Sequence, residues 1–153
     1  MTAIYETAAT AGHEGRNGSV RSADGLLDLR LAMPKELGGP GGATNPEQLF
    51  AAGYAACFTS ALLLCAREAK ARIGAPEVTA HVGLARDGEG FGLAVRLEVA
   101  LPEAERETAE ALARRAHAIC PYSRAIRGNV PTDLRLTAWR GSADQTLDLT
   151  PAG

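Results

Sequence analysis

The chain has 153 residues, of which 46% are hydrophobic and 22% charged, with a formal charge of -2. This length suits one domain, the composition excludes disorder, and the charge leaves no electrostatic footprint for nucleic acid or an anionic membrane. Aromatic residues make up only 5%, so a core must be built mainly from Ala, Leu and Val.

Residues 4–8 predict a short strand, followed by the turn-rich stretch from Gly12 to Gly18. Asp24-Gly25 is a hairpin signal between strands over 19–23 and 26–32. Leu27, Leu29 and Leu31 alternate with Asp28 and Arg30, the pattern of a half-buried strand. Residues 34–44, carrying Gly38, Gly39, Gly41 and Gly42, read as a connecting loop.

A long helix starts next. Asn45 is a good N-cap, Pro46 suits the first helical position, and Gln48 completes a capping-box pattern. Residues 49–66 are apolar on all faces, which predicts a helix buried all round. Arg67, Glu68, Lys70 and Arg72 make a polar end, with Gly74 and Pro76 as the stop. The uncharged run matches a membrane span in length, but Gly53, Tyr54, Thr59 and Ser60 keep its hydrophobicity modest, so burial and no membrane role are expected. A monomer this small covers such a helix poorly, and a homodimer is the expected remedy.

Strands over 78–86 and 92–101 follow, joined by Asp87-Gly88-Glu89-Gly90. A second helix opens at Pro102 and Glu103 with Ala104, Ala111, Leu112, Ala116 and Ile119 as its apolar stripe, and breaks at Cys120-Pro121. A short helix to Arg127 ends at Gly128, and residues 133–139 make a last strand. Residues 1–140 are thus read as one α+β domain, with 141–153 as a loosely held tail.

Three cysteines, and no basic-then-apolar stretch in residues 1–6, argue against a disulfide framework and for a cytoplasmic location. Cys57 falls mid-helix, where burial raises a thiol's pKa, and the helix N-terminus is too far to help, so a reactive Cys57 needs a cation from elsewhere. Taken alone, Cys57 reads as a small core residue, Cys65 as packing, and Cys120 as a cap-like residue before Pro121. By default Arg16 is a solvated charge on a glycine-rich turn, Glu47 a helix-dipole partner in a first turn, and Arg124 and Arg127 are surface or dimer contacts. His117 and Cys120 form the nearest approach to a ligand pair, but no second pair or CxxC stands beside them, so no metal site is expected.

Two stretches carry more. The first is Pro34-Lys35-Glu36-Leu37-Gly38-Gly39 with Thr44-Asn45-Pro46-Glu47-Gln48-Leu49-Phe50-Ala51-Ala52-Gly53-Tyr54-Ala55-Ala56-Cys57-Phe58. The second runs His117-Ala118-Ile119-Cys120-Pro121-Tyr122-Ser123-Arg124-Ala125-Ile126-Arg127-Gly128-Asn129. Together they closely resemble the organic hydroperoxide resistance (Ohr) branch of the Ohr/OsmC family, and the likeness extends to about Trp139.

The resemblance implies an α+β fold of antiparallel sheets wrapped around long central helices, in an intertwined homodimer. It implies a cysteine-based peroxidase that takes organic hydroperoxides, with Cys57 as the attacking thiolate and Cys120 as the resolving thiol. Arg16 matches the family's catalytic arginine and Glu47 its acidic partner. No bound cofactor is implied; the reductant is a dithiol, a lipoylated protein or dihydrolipoamide. An apolar pocket around Cys57 is expected, with Leu37, Phe50, Tyr54, Phe58 and Ile126 as walls. Glu47 and Cys57 are ten positions apart, about 15 Å along one helix, so Glu47 and with it Arg16 are expected to serve Cys57 of the other subunit. The OsmC branch, with another peroxide preference, and a non-enzymatic redox sensor or apolar-ligand carrier are the alternatives.

Overall fold

In a computed structural model of the protein, Asp24 folds the chain back on itself. Its Oδ1 accepts the Leu26 amide at 3.0 Å, and Gly25 takes a φ of 74°, a conformation that favours glycine. The structure describes every residue except Met1, Asp87, Glu89, Asp144 and 151–153. The chain forms two compact units, Met1–Leu49 and Phe50–Gly153, taken here in turn.

In the first unit, β1 (Ala9–Ala11), β2 (Ser19–Ser22) and β3 (Asp28–Arg30) make an antiparallel sheet in that order. The expected hairpin forms, and it pairs Ser19 with Arg30 and Arg21 with Asp28. The first strand lies at Ala9–Ala11 and not at residues 4–8, because β2 gives way to its turn at Ala23, whose amide bonds Ala8 and leaves nothing beyond to pair. Of the alternating leucines only Leu31 is buried; Leu27 and Leu29 are exposed.

The glycine-rich loop is an ordered detour. A 3-10 turn (Lys35–Leu37) ends at Gly38, and a Cβ on Gly39 would stand 2.2 Å from the Met33 carbonyl. The loop returns so that the Ala32 amide donates to the Thr44 carbonyl at 2.9 Å, beside a bridge between Leu31 and Thr44. The Met33 amide in turn donates to Asn17 Oδ1 at 3.0 Å. These ties hold the Gly15–Asn17 3-10 turn close to the start of the helix that follows.

That helix, α1, runs from Pro46 to Glu68. Asn45 Oδ1 accepts the Gln48 amide at 2.9 Å, the expected cap. The reciprocal half of the capping box is absent: the Gln48 side chain accepts a hydrogen bond from Thr44 Oγ1 instead. The helix stops at Glu68, before Gly74, because Lys70 adopts φ 51°. The Ala71 amide reaches the Ala66 carbonyl and the Lys70 amide that of Arg67, a complete Schellman closure with lysine where glycine is usual.

In the second unit, β4 (Glu77–Arg86), β5 (Phe91–Ala100), β6 (Thr132–Ala138) and β7 (Leu147–Asp148) form a sheet in that order. β4 and β5 pair antiparallel from Glu77↔Ala100 to Arg86↔Phe91; the expected turn between them includes Asp87 and Glu89, outside the described residues. The pairings are antiparallel, as the resemblance implied, except between β5 and β6, which are parallel. The cause is the crossover α2 (Arg106–Ile119) and α3 (Pro121–Ile126), which carries the chain back to the starting edge. Helix α2 begins at Arg106, four residues later than expected, although Ala104 is already buried in the preceding turn.

One apolar cluster joins Leu62 of α1, Leu112 of α2, Leu97 and Val99 of β5 and Leu134 and Leu136 of β6. Each such buried side chain stabilises the fold by about 1.5–3 kcal/mol. The tail joins it: Leu149 is buried and its carbonyl accepts Arg114 Nη1 at 2.8 Å, so residues 147–150 are held. Helix α1 is not buried all round in this chain. Tyr54, Phe58, Leu62 and Cys65 face the core, whereas Ala52, Ala56, Ser60, Leu63 and Leu64 are exposed.

Candidate active site

Two thiols meet in the second unit. Cys57 lies one turn past Tyr54 on α1 and is half-buried; Cys120 is fully buried. Pro121 disfavours helical backbone at the residue before it, and Cys120 has φ -56° and ψ 125°, at once the C-cap of α2 and the N-cap of α3. This one-residue joint aims its side chain at α1. The Cys120 thiol donates to Cys57 Sγ at 3.8 Å, and both cysteines are reduced. A disulfide bond is about 2.05 Å long, so closure needs the sulfurs to approach by less than 2 Å.

Burial, and then the neighbouring Cys120, push the Cys57 thiol above its ordinary pKa, while the Tyr122 backbone amide pulls the other way. That amide belongs to the first turn of α3, whose N–H groups lack intrahelical partners. Sequence reasoning considered only the distant N-terminus of Cys57's own helix and missed that a second helix begins beside the sulfur.

An aromatic group backs the pair. The Tyr54 ring stacks on Tyr122 at 5.6 Å and meets Phe50 edge-on at 6.0 Å, and Phe50 also meets Tyr122 edge-on at 5.9 Å. Tyr54 Oη and Ser123 Oγ share a buried hydrogen bond of 2.8 Å; burial raises the Tyr54 pKa although this bond opposes it. Of the expected walls, Tyr54 and Phe58 have no exposed surface, so they can back a pocket but not line one. Phe50 and Ile126 are half-buried against the same core, and Leu37 is exposed on the first unit. Tyr122 and Ser123 were not among the expected walls; the Cys-Pro-Tyr-Ser run is the signal that could have found them.

Within the first unit, the Gly15–Asn17 turn brings Arg16 to the first turn of α1. Arg16 Nη1 and Nη2 donate to Glu47 Oε2 and Oε1 at 2.8 and 2.7 Å, a two-pronged pair. The Arg16 hydrogen bonds hold the Glu47 carboxyl below the usual carboxylate range, and Glu47 raises Arg16 in return. The pair therefore presents a fixed, permanently charged fork.

The remaining candidates have structural work. Cys65 is fully buried, with burial raising its thiol pKa. Arg127, read as a surface or interface charge, reaches back to the His117 and Ala118 carbonyls at 3.3 Å and closes the end of α2. His117 has a buried Nδ1 with no hydrogen-bond partner among the described residues, and its ring lies 6.4 Å from that of Phe58.

An α+β frame with two reduced thiols in contact, one mid-helix and one at a helix junction, defines a protein of dithiol type. The chain belongs to the Ohr/OsmC family, on its organic hydroperoxide resistance branch. Residues 39–135 match the family model described as OsmC-like protein. It is 44% identical to an organic hydroperoxide resistance protein of Xanthomonas axonopodis pv. citri over 87% of this chain and 94% of that protein. It is 46% identical to the organic hydroperoxide resistance protein OhrB of Bacillus subtilis, covering 85% and 96%. A crystal structure of an organic hydroperoxide resistance protein from Legionella pneumophila superposes with a TM-score of 0.84 at 50% identity, over 91% of this chain and 99% of that one.

Proposed function

We propose that the protein is a thiol-dependent peroxidase that reduces organic hydroperoxides to alcohols. The observation that carries this reading is the 3.8 Å contact between Cys57 and Cys120 Sγ, supported by the hydroperoxide resistance named for its relatives.

The Cys57 thiolate attacks the terminal peroxide oxygen and breaks the O–O bond. The alkoxide leaves with a proton as the alcohol, and Cys57 becomes a sulfenic acid. The Cys120 thiol then attacks that sulfur, a disulfide forms, and the hydroxyl departs as water. A dithiol, of the lipoyl kind, returns two electrons and two protons by exchange and is itself oxidised to a disulfide. Cys57 is the attacking thiol because it has exposed surface, and Cys120 the resolving one because it has none.

A thiol pushed up by its surroundings needs a cation to react near neutral pH. Arg16, held by Glu47, is assigned that part; it stabilises the thiolate and the departing oxygen. The ten-residue spacing along α1 between Glu47 and Cys57 favours delivery of this pair to the thiol of a second copy, within a homodimer. The exposed Ala52, Ala56, Leu63 and Leu64 on α1 support such a partner. The half-buried Phe50 and Ile126, packed with Cys57 against the same core, give its surroundings an apolar character suited to alkyl and lipid hydroperoxides.

The test is consumption of cumene hydroperoxide and of hydrogen peroxide with dihydrolipoamide as reductant. Turnover of the organic peroxide well above that of hydrogen peroxide, abolished by Cys57→Ser, is the expected result. Equal rates on both, or activity in that variant, would overturn the reading.

A further inference from the structure

The thiol pair has a hydroxyl pair beside it. Cys57 meets Cys120 at 3.8 Å, and Tyr54 Oη shares a hydrogen bond of 2.8 Å with Ser123 Oγ. The two contacts are three positions apart on both sides, 54 to 57 along α1 and 120 to 123 along the joint and α3. Tyr54 has no exposed surface, and among the described residues of α3 only Ser123 is buried. This short helix is thus moored to α1 through a hydroxyl, where alanine would satisfy packing alone. A buried hydroxyl is costly unless its hydrogen bond is made, so the bond to Tyr54 accounts for the serine.

Cys57 is fixed in the interior of a long helix, so closing the sulfurs to bonding distance falls to Cys120. Its amide donates to the Ala116 carbonyl at 2.8 Å, and its carbonyl accepts the Arg124 amide at 3.0 Å. The α2 side of the joint is held by the buried Leu112, Ala113 and Ala116, and the α3 side by Ser123. Gly53 clears the approach: a Cβ there would stand 2.8 Å from the Tyr122 hydroxyl oxygen, so the first turn of α3 can lie against α1.

We infer that the Tyr54–Ser123 hydrogen bond is a latch that keeps the joint closed on α1 and so sets the effective concentration of Cys120 at Cys57. Both are positioning residues that act through Cys120. The latch deepens the peroxidase reading, in which Cys120 must reach the Cys57 sulfenic acid before a second peroxide does. In that step the sulfur–sulfur bond forms, the sulfur–oxygen bond breaks, and the hydroxyl leaves with the thiol proton as water. The inference rests on these two cysteines being the redox pair, but its test needs no peroxide.

The protein is equilibrated with reduced and oxidised glutathione. Its dithiol passes two electrons and two protons to one oxidised glutathione, giving two reduced molecules and the Cys57–Cys120 disulfide. Ser123→Ala and Tyr54→Phe should each lower that equilibrium constant about tenfold. The double variant should lose no more than either single one, because the same bond is lost. Leu136→Val, which loosens the same core on β6, should leave the constant where it was. An unchanged constant in the single variants, additive losses in the double one, or an equal loss in Leu136→Val overturns the latch. A measurement on the unaltered chain depends on no variant folding. The Arg124 amide should be protected from hydrogen exchange by the moored joint, and exchange at the rate of an open chain also overturns it. Absence of peroxide turnover in the unaltered protein would instead count against the peroxidase reading alone.

Discussion

The sulfurs of Cys57 and Cys120 stand 3.8 Å apart although 63 positions separate them in the chain. The contact lies within one unit of one molecule, which predicts the product of oxidation. One equivalent of an organic hydroperoxide should give a Cys57–Cys120 disulfide inside a single chain, seen as one cross-linked peptide pair after non-reducing digestion. Cys120→Ser should instead accumulate sulfinic acid at Cys57 as peroxide is added, because nothing intercepts the sulfenic acid. Linkage between chains, or through Cys65, would contradict the assignment.

Arg16 and Glu47 should behave as one group. Arg16→Lys keeps the charge but loses the second prong, and should slow peroxide reduction by on the order of 10²-fold. Glu47 has a depressed pKa, so the pair is intact above the ordinary carboxylate range and is lost as pH falls through that lowered value. Single-turnover rates measured downward from neutral pH should therefore carry an acid limb that Glu47→Gln removes. The Arg16 side chain is 38% exposed, so the effect on global stability should be slight by comparison.

Lys70 closes α1 with a positive φ at a site where glycine is at ease. Lys70→Gly should stabilise the protein by about 0.5–1 kcal/mol, relief of the left-handed backbone outweighing the freer unfolded chain. A urea midpoint that moves down would show that the Lys70 side chain contributes more than its backbone strain.

Burial, and then Arg127, keep His117 below the ordinary imidazole pKa. The folded state thus binds fewer protons than the unfolded one beneath about pH 6.5, so this contribution is full above that point and drains as pH falls through the window. His117→Leu should flatten the decline in urea midpoint between neutral and mildly acid pH. It also removes the unpartnered Nδ1, whose burial costs about 1–3 kcal/mol, so the variant should be at least as stable at neutral pH.

Local punctuation was legible in the sequence: Asn45 as cap, Asp24-Gly25 as hairpin, Cys120-Pro121 as a helix break, and the two long strands. What escaped is tertiary. Nothing local distinguishes the parallel β5–β6 pairing from an antiparallel one, since Leu134 and Leu136 alternate identically in both. Lys70 hides a helix end because its conformation is set by the Schellman hydrogen bonds and not by side-chain type. The two cysteines could be singled out from their motifs. The seating of the Tyr122 ring against α1 could not, since it is a tertiary contact, and Gly53, opposite the ring, is its trace in the sequence.

The crossover between β5 and β6 also bears on when the dithiol comes into being. Cys120 rides on a segment anchored at both ends in neighbouring parallel strands, a pairing that forms late because it must close a long loop. A chain still emerging from the ribosome holds Cys57 on its first long helix with no companion thiol in place. On the proposed mechanism, peroxide reduction is thereby confined to finished molecules, and a Cys57–Cys120 crosslink would double as a stamp of completed folding.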